Sequence, residues 1–135
     1  MRHSIFHDER LDLACYPVNG WTVVEVGGEV DVHTAPRIGE AVSMLLRTGH
    51  RHFVLDLCPV PILDSQGLGM LIAITKRIRD REGSLCLTCA DERILKVFRA
   101  TELRRVYAFY DSVEAATRNA PHRGGLAGWP RPLLR

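Results

Sequence analysis

What this sequence of 135 residues lacks narrows it before any motif is considered. No apolar stretch approaches the roughly 20 residues that span a bilayer; the longest lies around Met70 to Ile74. Neither sign of charge is in excess, since 18 basic residues against 16 acidic leave +2. Arg77, Arg79 and Arg81 are interleaved with Asp80 and Glu82, so no uncompensated basic stripe marks a nucleic-acid binder. The first residues, Met1 to Glu9, are polar and charged and show no apolar core leading to a small-residue cleavage site, unlike a secretory leader. These absences point to a cytoplasmic protein with no membrane or nucleic-acid contact of its own, and they make its four cysteines free thiols.

Metal and redox motifs are equally thin. Cys86 and Cys89 have C-x-x-C spacing, but there is no second such pair and no histidine pair at ligand spacing. The pair sits in Leu85-Cys86-Leu87-Thr88-Cys89-Ala90, which reads as a strand, where a separation of three puts the thiols on opposite faces. Buried, inert cysteines and no metal are expected.

What is present is one domain's worth of alternating elements. Residues 1–10 read as a flexible N-terminus. Leu11 to Tyr16 alternates, Pro17-Val18-Asn19-Gly20 carries turn residues and Trp21 to Val26 is rich in β-branched residues, which predicts a hairpin. Thr34-Ala35-Pro36 offers a hydroxyl cap and a first-turn proline to a helix built on Ile38, Ala41, Val42, Leu45 and Leu46. His52 to Leu57 is a short continuous apolar run, the mark of a central strand buried on both faces. A helix from Ser65 to Arg81 follows, stopped by Gly83; then a strand over Leu85 to Cys89, a helix capped by Asp91, a strand over Val106 to Tyr110 and a last helix from Ser112 that fades by Asn119. Residues 120–135 read as a disordered tail. The expectation is an α/β fold with a mixed sheet of four to five strands, opened by a hairpin, with about four helices packed on it.

The chemistry concentrates in Leu63-Asp64-Ser65-Gln66-Gly67-Leu68-Gly69. Asp64 is a good N-cap and Ser65 an ordinary first-turn residue. Gly67 and Gly69 are harder to place, because each costs a helix interior about 1 kcal/mol relative to alanine. Close approach by a neighbouring strand and close approach by an incoming molecule account for them equally well. A nucleophilic serine is not supported: Leu63 stands where G-x-S-x-G needs a glycine, and His33, His50, His52 and His122 assemble no triad. The phosphate-loop pattern is missing too. Asp56, at the end of a buried strand, suggests receiver-type aspartyl phosphorylation, but Tyr16-Pro17-Val18-Asn19 supplies no acidic pair for Mg²⁺.

Val54-Leu55-Asp56-Leu57, Asp64 to Gly69, and Gly28-Glu29-Val30-Asp31-Val32-His33-Thr34-Ala35-Pro36 together resemble the STAS domain of bacterial anti-sigma factor antagonists. The resemblance also takes in Glu82-Gly83-Ser84-Leu85 and Glu92 to Phe98, so it runs from Leu11 to Asn119. It is nearest to the actinobacterial BldG type and more distant from SpoIIAA. It implies a regulator of transcription, of the stress-response kind, with no catalytic residue and no cofactor. Unmodified, such a protein binds an anti-sigma factor that is itself a serine kinase of the GHKL type, and so frees a sigma factor. Phosphorylation on Ser65 ends the complex, and a PP2C-type phosphatase reverses it. The partner surface that the resemblance implies is Asp31, His33 and Thr34 with Asp64, Ser65, Gln66, Gly67, Leu68 and Gly69. A monomer or weak dimer is expected. The alternative is an unphosphorylated STAS scaffold or small-ligand module. Two positions depart from the family pattern: Gln66 replaces a common second Ser or Thr, and Ala100-Thr101-Glu102-Leu103 replaces a Thr-Gly-Leu turn.

Overall fold

The computed structural model describes residues 1–101 and 103–121; nearly all of the expected tail, and Glu102 of the altered turn, lie outside the described residues. The hairpin forms from β2 (Leu11–Val18) and β3 (Trp21–Gly28). They pair antiparallel from Leu11↔Gly28 to Val18↔Trp21. Only Asn19 and Gly20 make the turn, both at positive φ (50° and 86°), as a tight right-twisted hairpin requires. Pro17 therefore lies inside β2, beyond the reach of β1, where a missing N–H breaks no ladder.

The N-terminus is ordered, contrary to the flexible segment expected for residues 1–10. β1 (His3–His7) pairs antiparallel with β2, with a bulge between Ser4 and Phe6. Ile5 and Phe6 pack against the core, and the turn that follows is closed by Asp8, whose carboxylate accepts from the backbone N–H of Arg10 (2.8 Å) and Leu11 (2.9 Å). An edge strand with one covered face shows little apolar period, which is why the sequence hid it.

After the hairpin the chain alternates: α1 (Ala35–Arg47), β4 (His52–Asp56), α2 (Ser65–Asp80), β5 (Ser84–Thr88), α3 (Glu92–Ala100), a 3₁₀ turn (Leu103–Arg105), β6 (Phe109–Tyr110) and α4 (Val113–Ala116). The last strand is shorter than the expected Val106 to Tyr110, because Tyr107 turns into the core, where its hydroxyl bonds Thr75 Oγ1 at 2.8 Å. The result is an α/β fold on one mixed sheet of six strands in the order β1-β2-β3-β4-β5-β6. β1 to β3 are antiparallel neighbours and β3 to β6 parallel ones.

Stepping the parallel strands in one direction with right-handed crossovers puts the connecting helices on one face. That face holds the main core: Val24, Val26, Phe53, Leu55, Leu85 and Leu87 of the sheet meet Ile38, Leu45, Leu71, Ile74, Ile78, Ile94 and Phe98 of α1, α2 and α3. The other face carries a smaller cluster of Val23, Val54, Cys86 and Ala116 beneath α4. β4 is buried on both faces, as its continuous apolar run predicts. Cys86 and Cys89 do point to opposite faces, each buried in a different cluster, but Cys58 is exposed and Cys15 half-buried, so not every cysteine is a core residue. Among the described residues no helix is long and apolar enough to cross a membrane.

Candidate functional site

The site is made where two loops meet at one end of the sheet. Val30 N donates to the Ile62 carbonyl at 2.9 Å and Asp64 N to the Val30 carbonyl at 3.1 Å, so Val30 and Leu63 form an isolated parallel bridge. This pairing carries the loop after β3, with Asp31, His33 and Thr34, alongside the loop that feeds α2, with Asp64 and Ser65. Residues more than 30 apart in sequence thereby share one surface.

Asp64 is the N-cap of α2. Its backbone is extended, and Oδ1 accepts from Gln66 N at 2.9 Å and Gly67 N at 3.2 Å, satisfying two of the free first-turn donors. Ser65, the first residue of α2, is exposed, and among the described residues its hydroxyl has no hydrogen-bond partner. Gln66 and Gly69 are exposed beside it.

Asp31 organises the other loop. Oδ1 accepts from His33 N at 2.8 Å and Thr34 N at 3.2 Å, and these donors, His33's first, hold its carboxyl below the usual aspartate range despite some burial. His33 is exposed. Thr34 departs from expectation. Its hydroxyl does not cap α1; it donates to the Glu29 carbonyl at 2.7 Å and accepts from Asp31 N at 3.0 Å, so it shapes the loop from within. At 3% exposed, Thr34 offers no side chain to a partner.

The two glycines separate cleanly. A Cβ on Gly67 would lie 2.4 Å from Leu63 Cδ1 and 2.8 Å from Val30 Cγ1, so this glycine lets α2 seat on the paired loops. A Cβ on Gly69 would meet nothing within 4 Å. The close-approach reading is therefore internal for Gly67, and only Gly69 is left bare toward solvent. Leu68 is also buried, in the main core. Of the expected contact residues, Thr34, Gly67 and Leu68 are thus buried and shape the loops from beneath, Asp31 and Asp64 are half-buried, and His33, Ser65, Gln66 and Gly69 are exposed.

Sequence reasoning missed two exposed apolar residues of these loops. Val32 (55% exposed) and Ile62 (51% exposed) stand on the two loops, one on each side of the Val30–Leu63 bridge. The available signal was weak: each is a lone apolar residue outside any periodic element, as a contact residue is when the fold has no use for its side chain.

Rival chemistries lose their geometry. Asp56 is buried, and its Oδ1 accepts from Thr88 Oγ1 (2.8 Å) and Cys58 N (3.0 Å), so it clamps the ends of β4 and β5 where a receiver would present it. Burial pushes the Cys86 thiol up to about 12, and burial with the neighbouring Asp56 pushes Cys58 up to about 11, which keeps both protonated and poorly nucleophilic.

Comparison with known proteins agrees with this fold. The STAS domain family matches residues 13–116. The anti-sigma-B factor antagonist of Staphylococcus aureus is 32% identical over 81 residues, which cover 60% of this chain and 75% of that protein. Among solved structures, an anti-sigma factor antagonist from Mycobacterium paratuberculosis superposes with a TM-score of 0.73 at 23% identity, covering 85% of this chain and all (100%) of that one. The antagonist SpoIIAA superposes both in its unphosphorylated form (TM-score 0.62, 18% identity, 78% of this chain and 94% of that one) and in its phosphorylated form (TM-score 0.61, 19% identity, 78% and 97%).

Proposed function

Since this chain belongs to the STAS domain family of anti-sigma factor antagonists, we propose that it is a partner-switching antagonist, controlled by phosphorylation of Ser65. Unmodified, it binds in the cytoplasm to an anti-sigma factor that is a serine kinase of the GHKL type, and the sigma factor held by that kinase is released. Within the complex the Ser65 hydroxyl attacks the γ-phosphorus of the kinase's ATP. The new Oγ–P bond forms as the bond to the β-phosphate oxygen breaks, ADP leaves, and the hydroxyl proton passes to a base of the kinase. A PP2C-type phosphatase hydrolyses the phosphoserine and resets the cycle. The BldG-type subgrouping is part of this proposal and rests on the sequence motifs.

One observation carries the reading. Ser65 is an exposed hydroxyl, unpartnered among the described residues, at an aspartate-capped helix N-terminus, and exposed Val32 and Ile62 stand on the two loops that pair beneath it. A phosphate there adds about −1.5 to −2 charges where the helix dipole and first-turn N–H groups favour an anion, so the domain keeps its fold. A docked partner would bury that charge beside Asp31 and Asp64. About 4 kcal/mol of such a penalty already lowers affinity a thousandfold. Apolar flanks and a switchable centre are what such an interface needs.

Incubation with ATP and GHKL-type anti-sigma kinases, read by intact mass, tests the assignment. One added phosphate is expected on the wild type and none on Ser65→Ala. A phosphate retained by Ser65→Ala, or label that hydroxylamine removes, contradicts it.

A further inference from the structure

We propose that the cleft between the C-terminal halves of α1 and α2 is a binding site for an oligophosphate anion. The cleft has a volume of about 500 Å³ and is lined by Arg47, Arg77 and Arg81 with Ser43, Leu46, Glu40 and Asp80. Arg77 is 12 residues along α2 from Ser65, about 18 Å at 1.5 Å per residue, so the cleft is separate from the partner surface.

Two of the three guanidinium groups, those of Arg47 and Arg81, have no structural employment among the described residues that explains their place at the cleft. Basic residues at a helix C-terminus ordinarily satisfy or offset the last carbonyls. Here several of those carbonyls are already bonded. Met44, Leu45 and Leu46 carbonyls accept from Thr48 N, Thr48 Oγ1, Gly49 N, His50 N and the Arg51 guanidinium. At the end of α2, Ile78 O accepts from Arg81 N and Gly83 N, and Arg79 O from Glu82 N. Arg77 is aimed across the cleft by a 2.7 Å hydrogen bond to Ser43 Oγ on α1. Among the described residues the Arg47 and Arg81 guanidinium groups have no hydrogen bond and no ion pair. Of the two acids on the rim, Glu40 is paired with Arg37 outside the cleft (3.3 Å), and Asp80 pairs with none of the three arginines.

The class of ligand follows from this arrangement. A guanidinium fork matches the oxygens of a phosphate group better than a point charge does. Arg77 lies in α2 and Arg81 is its C-cap, four residues on, while Arg47 lines the cleft from α1, so three cations serve one cleft, more than a single phosphate group engages. The cleft also lies within the size range of small-molecule sites and well above what one phosphate fills.

Titration calorimetry with tripolyphosphate, in about 0.1 M salt, tests this. Saturable binding is expected, weakened about tenfold or more in Arg47→Gln/Arg81→Gln, with the melting temperature of that variant unchanged because both side chains are exposed. Sulfate should bind at least about tenfold more weakly than tripolyphosphate, and Ser65→Ala should bind tripolyphosphate as the wild type does. ATP run alongside identifies the source: tighter binding than tripolyphosphate means a nucleotide, equal or weaker binding a free phosphate chain. No saturable binding at about 1 mM, or an undiminished affinity in the double variant, overturns the proposal without touching the Ser65 switch.

Discussion

Two helices of this protein start in nearly the same way and do different things. α2 begins Asp64-Ser65-Gln66 and α3 begins Asp91-Glu92-Arg93, each with an aspartate N-cap that accepts from the backbone two residues on (2.9 Å to Gln66 N, 2.8 Å to Arg93 N). At α3 the cap is closed over: the Arg93 guanidinium bonds both oxygens of Asp91, at 3.2 and 2.9 Å. At α2, among the described residues, Asp64 has no ion pair and the hydroxyl of the next residue has no partner, and two apolar side chains, Val32 and Ile62, stand exposed on the loops that lead to it. The capping physics is shared. What fits one end for the proposed switch is what was left uncovered, and Glu92 shows an acidic side chain at the corresponding first-turn position of α3, there paired with Arg99 at 2.6 Å.

That comparison can be broken most directly by making the two ends alike. Ser65→Glu should reduce binding of the anti-sigma kinase about a hundredfold or more, near 3 kcal/mol, and leave the melting temperature within a few degrees. Glu92→Ser should leave binding unchanged. A Ser65→Glu chain that unfolds would show that α2 does not tolerate what α3 does.

The glycines sharpen the same contrast. Gly67→Ala forces a methyl into Leu63 and Val30 and should cost about 1–3 kcal/mol in urea unfolding. Val32→Ser and Ile62→Ser should each weaken the complex about five- to tenfold, near 1 kcal/mol, at unchanged stability, since both side chains are exposed. Gly69→Ala should stabilise the free domain by about 0.5–1 kcal/mol while weakening partner binding, and a variant that gains on both counts would remove Gly69 from the contact.

The smallest effect is expected at α3. Arg93's side chain, with its backbone N–H, holds the Asp91 carboxyl below the ordinary aspartate value. A depressed carboxyl contributes stability that is present above its unfolded pKa, about 3.9, and is lost as pH falls through the folded value. Arg93→Gln should therefore move the Asp91 titration, followed by carboxyl NMR, upward toward that ordinary value, and make the acid-side loss smaller and complete at a higher pH.

The parts of this structure that depend on neighbours in sequence were legible in it. The Asp64 and Asp91 caps, the doubly buried β4 and the Asn19–Gly20 turn all follow from local pattern. The parts decided by distant contacts were not. β1 exists because β2 offers it an edge, and its polar sequence gives no period to read. Thr34 resembles a cap by position, yet the Glu29 carbonyl and Asp31 N–H claim its hydroxyl. The left-handed residue after α2 is Glu82 (φ 59°), while Gly83, expected as the stop, is needed because a Cβ there would sit 2.1 Å from the Arg51 carbonyl. Gly67 has the same kind of reason, set by Val30, which is 37 positions earlier. Sequence marked the loop of the proposed switch and hid what supports it.

The central claim is that charge on one exposed hydroxyl dissolves a complex and spares the domain. The measurement that tests it is the affinity of the cognate GHKL-type anti-sigma kinase for the chain unmodified and stoichiometrically phosphorylated on Ser65, with thermal melts of both forms. A loss of about a thousandfold in affinity with superimposable melts is the predicted result. Equal affinity for the two forms, or a phosphorylated chain that no longer folds, would contradict it.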